Sequence, residues 1–236
     1  MVEMLYKNRE DMVYEVLKKE ILDLILKPGQ LISENEICER FEVSRTPVRN
    51  ALRLLEDQKY IVVVPYRGIY ITLLNLSNIK QMIYMRLAVE LKILEDFMEM
   101  KDNSNAIDDI KYMIRKQEAI IKESGFVPEQ FYRLDAKMHE IWFLATKKEK
   151  LWEMIQAHRL HYTRFRMLDF GTETDFNRII KEHKNILSLV EKGNFSELKD
   201  VLKEHLYFSM KRMRYQIDVE YKNYFEEEPE EGKFDI

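Results

Sequence analysis

Structural punctuation is scarce in this chain: its 236 residues include only 6 glycines and 5 prolines. Glycine supplies the left-handed backbone that tight turns use, and proline stops helices. A chain with so little of either favours long helices over a loop-rich fold. The breakers that do occur mark positions of interest: Lys27-Pro28-Gly29, Pro65-Tyr66-Arg67-Gly68, Gly125 with Pro128, Gly171-Thr172 and Gly193-Asn194. A chain of this length divides naturally into two compact domains. Hydrophobic residues at 46% and charged residues at 34% suit real cores beneath a charged surface. No apolar run approaches the ~20 residues of a membrane span, so no membrane partner is expected. The single cysteine, Cys38, cannot close an intrachain disulfide. With no signal peptide in view, the expected compartment is the cytoplasm.

Hydrophobic periodicity predicts a helix over 9–26, stopped by Lys27-Pro28-Gly29. Ser33 with Glu36 three residues on reads as a capping box opening a short helix over 34–41. Ser44 reads as the N-cap of a third helix over 45–58, with Pro47 tolerated in its first turn. The period then changes. Residues 60–64 (Tyr-Ile-Val-Val-Val) and 69–72 (Ile-Tyr-Ile-Thr) are short and β-branched around a four-residue turn, the pattern of a β-hairpin. After Asn75 only helical signal remains, at about 77–100, 105–123, 128–146, 149–170, 175–191 and 195–224. The fold class expected is therefore mostly α: a winged helix-turn-helix of three helices plus a β-hairpin, then an all-α antiparallel bundle of about six helices. The domain limits expected are 1–74, 75–225 and an acidic tail at 226–236. That tail carries Glu226, Glu227, Glu228, Glu230, Glu231 and Asp235, and reads as a solvated terminus.

A formal net charge of −4 seems to disfavour nucleic acid, but DNA responds only to the face it touches. Between residues 40 and 67, Arg40, Arg45, Arg49, Arg53, Lys59 and Arg67 face only Glu42, Glu56 and Asp57, a local surplus of three positive charges. In a helix-turn-helix the start of the second helix enters the major groove. Here that start is Ser44-Arg45-Thr46-Pro47-Val48-Arg49. Arg45 and Arg49 are four apart and share a face, where a guanidinium can donate two hydrogen bonds to guanine. The hydroxyls of Ser44 and Thr46 suit phosphates, and Arg67 with Gly68 forms a wing tip able to approach DNA. Val48, Ala51, Leu52 and Leu55 make the opposite, core-facing stripe.

The stretch Lys27-Pro28-Gly29-Gln30-Leu31, Ser33-Glu34, Ile37, Phe41, Val43-Ser44-Arg45-Thr46-Pro47-Val48-Arg49, Ala51-Leu52, Leu55, Pro65 and Arg67-Gly68 resembles the GntR superfamily of bacterial transcription factors over about residues 9–72. The resemblance implies a homodimer on an inverted-repeat DNA operator, with Arg45, Thr46, Arg49 and Gly68 as contacts. Two departures stand out. Asn35 takes a position where many relatives carry arginine, and Asn50 replaces a usual acidic residue.

All five histidines lie in the second half: His139, His158, His161, His183 and His205. Asp135 and His139 are one helical turn apart on one face. His183 precedes the Gly193-Asn194 turn by ~10 residues and His205 follows it by ~11. At ~1.5 Å per residue they stand at matched heights on antiparallel neighbours. Asp135, His139, His183 and His205 can thus converge on one divalent cation, Zn²⁺ first, with Ni²⁺, Mn²⁺ or Fe²⁺ if further ligands join. His158 and His161 compete for the same level and rank lower.

The pattern Asp135-x-x-x-His139, Glu182-His183, Ile186, Gly193-Asn194 and His205, with Tyr84, Arg86 and Glu90 upstream, looks like the FCD (FadR-type) ligand-binding domain over about 78–215. A count of six helices points to its VanR-like branch. This resemblance implies a metal whose open positions help bind a small carboxylate effector. A cation should help hold such an acid, and Arg86, Arg133, Arg164 and Arg166 are candidates. Arg164 is preferred because it lies three residues after His161 and can share its face. The effector set read from the sequence is Arg86, Arg164 and His161, while Arg133 and Arg166 read as solvated. Tyr132, Trp142, Phe143, Tyr162 and Phe165 could wall a pocket, although helical aromatics are more often core.

The sequence therefore reads as a ligand-responsive, DNA-binding transcriptional repressor with a metal and organic-acid site, and not as an enzyme. Two alternatives remain open: a metal-dependent enzyme, since Asp/His₃ can activate water, and a regulator whose metal is purely structural.

Overall fold

The computed structural model describes residues 8–170 and 175–227. The Gly171-Thr172 break and the tail beyond Glu227 lie outside them. Two compact units share the chain. The first takes the described parts of Met1–Ser77 and Tyr215–Ile236, together with Thr163–Phe165; the second takes Asn78–Tyr162 and Arg166–Arg214.

In the first unit the order is α1 (Arg9–Leu22), β1 (Leu31–Ile32), α2 (Glu34–Phe41), α3 (Arg45–Asp57), β2 (Ile61–Val64) and β3 (Gly68–Ile71). Helix α1 is capped by Asn8, whose side chain accepts from the Asp11 amide, and it buries Val13, Leu17 and Ile21. Against these lies the apolar stripe of α3, where Val48, Ala51 and Leu55 are wholly buried. The amphipathic spacing of α3 thereby keeps Arg45 and Arg49 on the outside. Ser33 and Ser44 do occupy N-cap positions, but neither side chain bonds its helix, so the capping box does not close.

The sheet is antiparallel in the order β1-β3-β2, with Val64 opposite Gly68 at the hairpin end. Strand β1 pairs Leu31 with Tyr70 and Ile32 with Ile69. A Cβ at Gly68 would lie 2.6 Å from Leu31 Cδ1, and its φ of 127° is open only to glycine. Strand packing therefore already demands that glycine.

The chain end returns to this unit. Leu74 bridges Phe225: its amide donates to Tyr224 at 2.7 Å and its carbonyl accepts from Glu226 at 2.9 Å. The helix expected over 195–224 therefore stops early, and its last residues pair with the segment after the wing.

The second unit holds α4 (Leu76–Met98), α5 (Ser104–Ile120), α6 (Pro128–Ala145), α7 (Glu149–Ala157), α8 (Leu160–Phe170), α9 (Phe176–Glu191) and α10 (Phe195–Arg212), with the first two residues of α4 and three of α8 counted in the first unit. A short α11 (Arg214–Asp218) and a 3₁₀ turn (Lys222–Tyr224) follow, in the first unit apart from Arg214. The segment expected as one helix over 149–170 is two, separated at His158 and Arg159, so among the described residues α4–α10 are seven helices where about six were expected. Phe97, Phe131, Phe143 and Leu198 are wholly buried. Trp142 sits edge-on to Phe97 at 4.7 Å and Phe143 lies 5.1 Å from Trp152, so these aromatics are core rather than pocket wall.

Several turns use one device. After α2, α3, α6 and α9, the residues Glu42, Lys59, Lys147 and Gly193 adopt positive φ, and the next amide bonds back to the carbonyl five residues earlier. This is a Schellman cap. Only the α9–α10 turn uses glycine for it, which explains how a glycine-poor chain still turns sharply.

Candidate metal centre and DNA-reading face

Helix α6 places Asp135 and His139 one turn apart on its buried side. The Gly193 cap folds α10 back along α9, so His183 and His205 meet with ring centroids 4.8 Å apart. His139 lies 5.7 Å from His183 and 5.6 Å from His205. One ligand atom from each of Asp135, His139, His183 and His205 falls within 4.8 Å of every other. The structure thus brings together all four residues singled out by spacing. His158 is exposed, with Nδ1 2.9 Å from the Met154 carbonyl, and His161 is half-buried outside the cluster.

Each imidazole is held from behind. His139 Nδ1 lies 2.8 Å from Glu90 Oε2, His183 Nδ1 2.8 Å from Gln117 Oε1, and His205 Nδ1 2.9 Å from Glu182 Oε2. Carboxylate and amide oxygens only accept, so Nδ1 carries a proton in each ring and Nε2 is the nitrogen turned toward the centre. Burial lowers the pKa of His183 and His205 from the ordinary histidine value, which keeps both rings neutral. Burial alone would raise the Asp135 carboxyl, but the Arg166 guanidinium at 2.7 Å and the neighbouring imidazoles hold it well below its usual range. Arg166 occupies Oδ2 and leaves Oδ1.

Asp135 Oδ1, His139 Nε2 and His183 Nε2 are buried with no donor matched to an acceptor, Oδ1 and the His183 Nε2 lone pair facing each other at 3.2 Å. Leaving buried polar atoms unsatisfied costs about 1–3 kcal/mol each, yet here they gather at one point. Three imidazole nitrogens, one carboxylate oxygen and outer acceptors on every imidazole form the donor set that a divalent cation satisfies. The residues fit a metal ion.

Around the centre, carboxylates and arginines alternate. Glu90, which burial would raise, is lowered to about 2 by Arg86 and His139. Arg86 donates through Nε to Glu90 at 2.7 Å and through Nη1 to the Tyr162 hydroxyl at 2.9 Å. Arg178 pairs with Glu182 at 2.8 Å.

Two expectations about arginine are corrected. Arg164 does not face the centre: it is wholly buried in the first unit, donating to the Thr72 carbonyl at 2.7 Å and the Leu73 carbonyl at 3.3 Å. Arg166, read as solvated, is the arginine on Asp135, with its guanidinium 4.0 Å from the Tyr132 ring centre. Two residues apart on a helix means roughly opposite faces, so the sequence reading chose the wrong side of α8. Gln117 was also missed, since an isolated glutamine on an amphipathic helix carries no sequence signal.

On the first unit, Ser44, Arg45, Thr46 and Arg49 are exposed at the start of α3, and Arg67 is exposed at the wing. Arg49 Nε lies 3.0 Å from Glu34 Oε2, and Arg45 Nη2 donates to Asn35 Oδ1 at 3.1 Å. Asn50, the other departure from the usual pattern, donates to Glu10 at 2.8 Å. Tyr66, at the turn of the wing, is fully exposed and has φ of 62°.

Comparison with known proteins agrees with both halves. The family model for bacterial regulatory proteins, gntR family, matches residues 9–71, and that for the FCD domain matches residues 81–208. The HTH-type transcriptional repressor RspR of Escherichia coli is 24% identical over 92% of this chain and 93% of its own. The gluconate operon transcriptional repressor of Bacillus subtilis is 24% identical over 74% and 72%. Among solved structures, E. coli McbR/YncC superposes with a TM-score of 0.67 at 17% identity, covering 89% of this chain and 99% of that one. A GntR-type regulator from Rhodococcus superposes with a TM-score of 0.63 at 20% identity, covering 88% and 98%. These likenesses show the fold. Among the described residues no helix is long and apolar enough to cross a membrane. The two domain matches are those of a regulator rather than an enzyme, and the chain belongs to the GntR family of DNA-binding transcriptional regulators, in the group that carries an FCD domain.

Proposed function

We propose that this regulator is a cytoplasmic, homodimeric repressor that senses a small organic acid through a metal held by Asp135, His139, His183 and His205. The functional division runs at residues 74 and 75, with DNA reading before it and sensing after it. The observation that carries the reading is the set of convergent lone pairs without partners, each histidine fixed from behind by an acceptor. Zn²⁺ is the first candidate, and Ni²⁺, Mn²⁺ and Fe²⁺ suit the same donors when further ligands join.

Charge supports an anionic effector. Asp135, Glu90 and Glu182 are each matched by an arginine, Arg166, Arg86 and Arg178, so the surroundings are balanced before any ion enters. A divalent cation adds two positive charges and, as a Lewis acid, offers coordination positions to a carboxylate. Arg86 and Arg166 stand where they can help hold that acid. Arg164 is engaged elsewhere.

At the other end Ser44, Arg45, Thr46, Arg49, Arg67 and Gly68 form the DNA-reading set, and a homodimer would present two such sets to an inverted repeat. An effector alters DNA affinity only by binding one arrangement of the protein better than another. Elemental analysis of the full-length protein, with mass spectrometry of any released acid, tests the sensing half. One transition-metal ion per chain in wild type and none in His183→Ala is expected. Unchanged DNA affinity across all metal-coordinating acids would leave the metal a structural role only, and a wild type that takes up no metal would end the reading.

A further inference from the structure

The two arginines assigned to base reading are not loose in the protein, and what holds them is a carboxylate. Glu34, the first residue of α2, is 23% exposed and sits between Arg45 and Arg49, which are 64% and 62% exposed. Both of its oxygens accept from Arg49 Nε, at 3.1 and 3.0 Å, and Arg45 Nε lies 3.9 Å away. Arg45 is fixed further by Asn35 Oδ1, which takes one of its terminal nitrogens. The contacts on Arg49 engage only its Nε edge, so its Nη1 and Nη2 end stays clear of them. That end can donate two parallel hydrogen bonds to the O6 and N7 of guanine.

We infer that Glu34, backed by Asn35, is a specificity-determining positioning residue that holds Arg45 and Arg49 in their base-reading orientation. The inference rests on the proposed DNA-reading role of these arginines. Two physical effects favour discrimination at the expense of general affinity. First, a free arginine has many rotamers to give up on binding, and a guanidinium already fixed along one edge loses fewer of them. Secondly, a carboxylate beside the groove repels phosphate. It weakens binding to every sequence alike, and only bases that match the two guanidinium ends recover the loss. A carboxylate at this position is therefore costly for mere adhesion to DNA and useful for choosing among sequences.

The test uses the full-length protein, a duplex selected by wild type from a random-sequence pool, and a scrambled duplex of equal length and composition. Glu34→Gln keeps the side-chain size and removes the charge. Its affinity for the scrambled duplex should rise roughly 3- to 10-fold at fixed salt, while the selected-to-scrambled ratio falls roughly 10-fold. Asn35→Ala should lower the ratio by roughly 3-fold, confined to the base pair that Arg45 reads. Thermal unfolding of each variant at the wild-type midpoint excludes a folding defect, and should Glu34→Gln not fold, Asn35→Ala carries the same test. Equal gains on both duplexes would make Glu34 merely a nearby charge and overturn the inference. If Arg45→Ala and Arg49→Ala leave the ratio where it was, the DNA-reading assignment itself fails. If those two variants lose the ratio while Glu34→Gln keeps it, only the role of Glu34 fails.

Discussion

Arg45 and Arg49 stand with 64% and 62% of their side chains exposed beside one shared carboxylate, whereas Arg86 and Arg166 keep 6% and 15% exposed and each has a carboxylate of its own. The same residue type does two different jobs. At the surface an ion pair is worth about 0–1 kcal/mol, so Glu34 can orient the arginines without locking them. In the interior the pair cannot be opened without leaving a charge in a dry environment, so Arg166 and Asp135 fix each other. An exchangeable network suits a surface that must change partners. A closed one suits a site whose donor atoms must wait in place.

The sharpest way to break this contrast is to remove one member of the closed network. Asp135→Ala should cost ~3–5 kcal/mol of stability, because Arg166 would remain buried without its anion. Urea unfolding of chelator-treated wild type and variant measures that cost apart from any metal contribution. A loss below about 1 kcal/mol, the surface-pair range, would mean that Tyr132 and Tyr162 suffice to hold the guanidinium.

Next comes the outer layer. Gln117→Leu removes the acceptor behind His183 while keeping a buried side chain of similar volume. Losing such a partner should weaken metal binding about 10- to 100-fold with DNA affinity little changed. Competition against a chelator of known strength reads this directly, and an unchanged affinity would show that the ring is oriented by packing alone.

On the open side of the comparison, Arg45→Ala and Arg49→Ala should each lose ~1–3 kcal/mol of sequence discrimination. Their unfolding midpoints should stay near that of wild type, since only surface pairs are lost. Operator and scrambled-duplex titrations at one salt concentration report the first quantity and thermal melts the second. A variant that loses stability but keeps its sequence preference would move these arginines from the exchangeable class to the structural one.

How far the sequence revealed each region follows from the same physics. The i, i+4 spacing of Asp135 and His139, and the similar distances of His183 and His205 from the Gly193-Asn194 turn, are properties of single helices and one turn, so they survive without knowledge of packing. Arg166 was missed because its partner lies on another helix, and the face that α8 turns inward depends on where α8 begins. That start follows a break at His158 and Arg159 that no glycine or proline marks, so no helical phase could be carried across it from α7. Strand β1 escaped for a simpler reason: two residues are too few to show an alternation. Glu34 was legible as a helix start, but not as the residue between two arginines, because that contact joins two helices.

The turns offer the finest comparison, since the two units use the same Schellman cap with a non-glycine residue in the left-handed position: Glu42 after α2, with φ of 52°, and Lys147 after α6, with φ of 59°. Such a conformation costs an L-residue roughly 1–2 kcal/mol. Glycine removes that cost but adds about 0.5–1 kcal/mol of unfolded-state entropy. Lys147→Gly should therefore stabilise the protein by about 0.5–1 kcal/mol, read as a higher urea midpoint at unchanged slope. Glu42→Gly should stabilise it similarly and also remove an anion next to the DNA-reading helix, so it should bind scrambled DNA slightly tighter, an effect Lys147→Gly lacks. Equal changes in DNA affinity for the two would show that backbone relief, not charge, governs the open face, and would weaken the case that its acids are there to restrain its arginines.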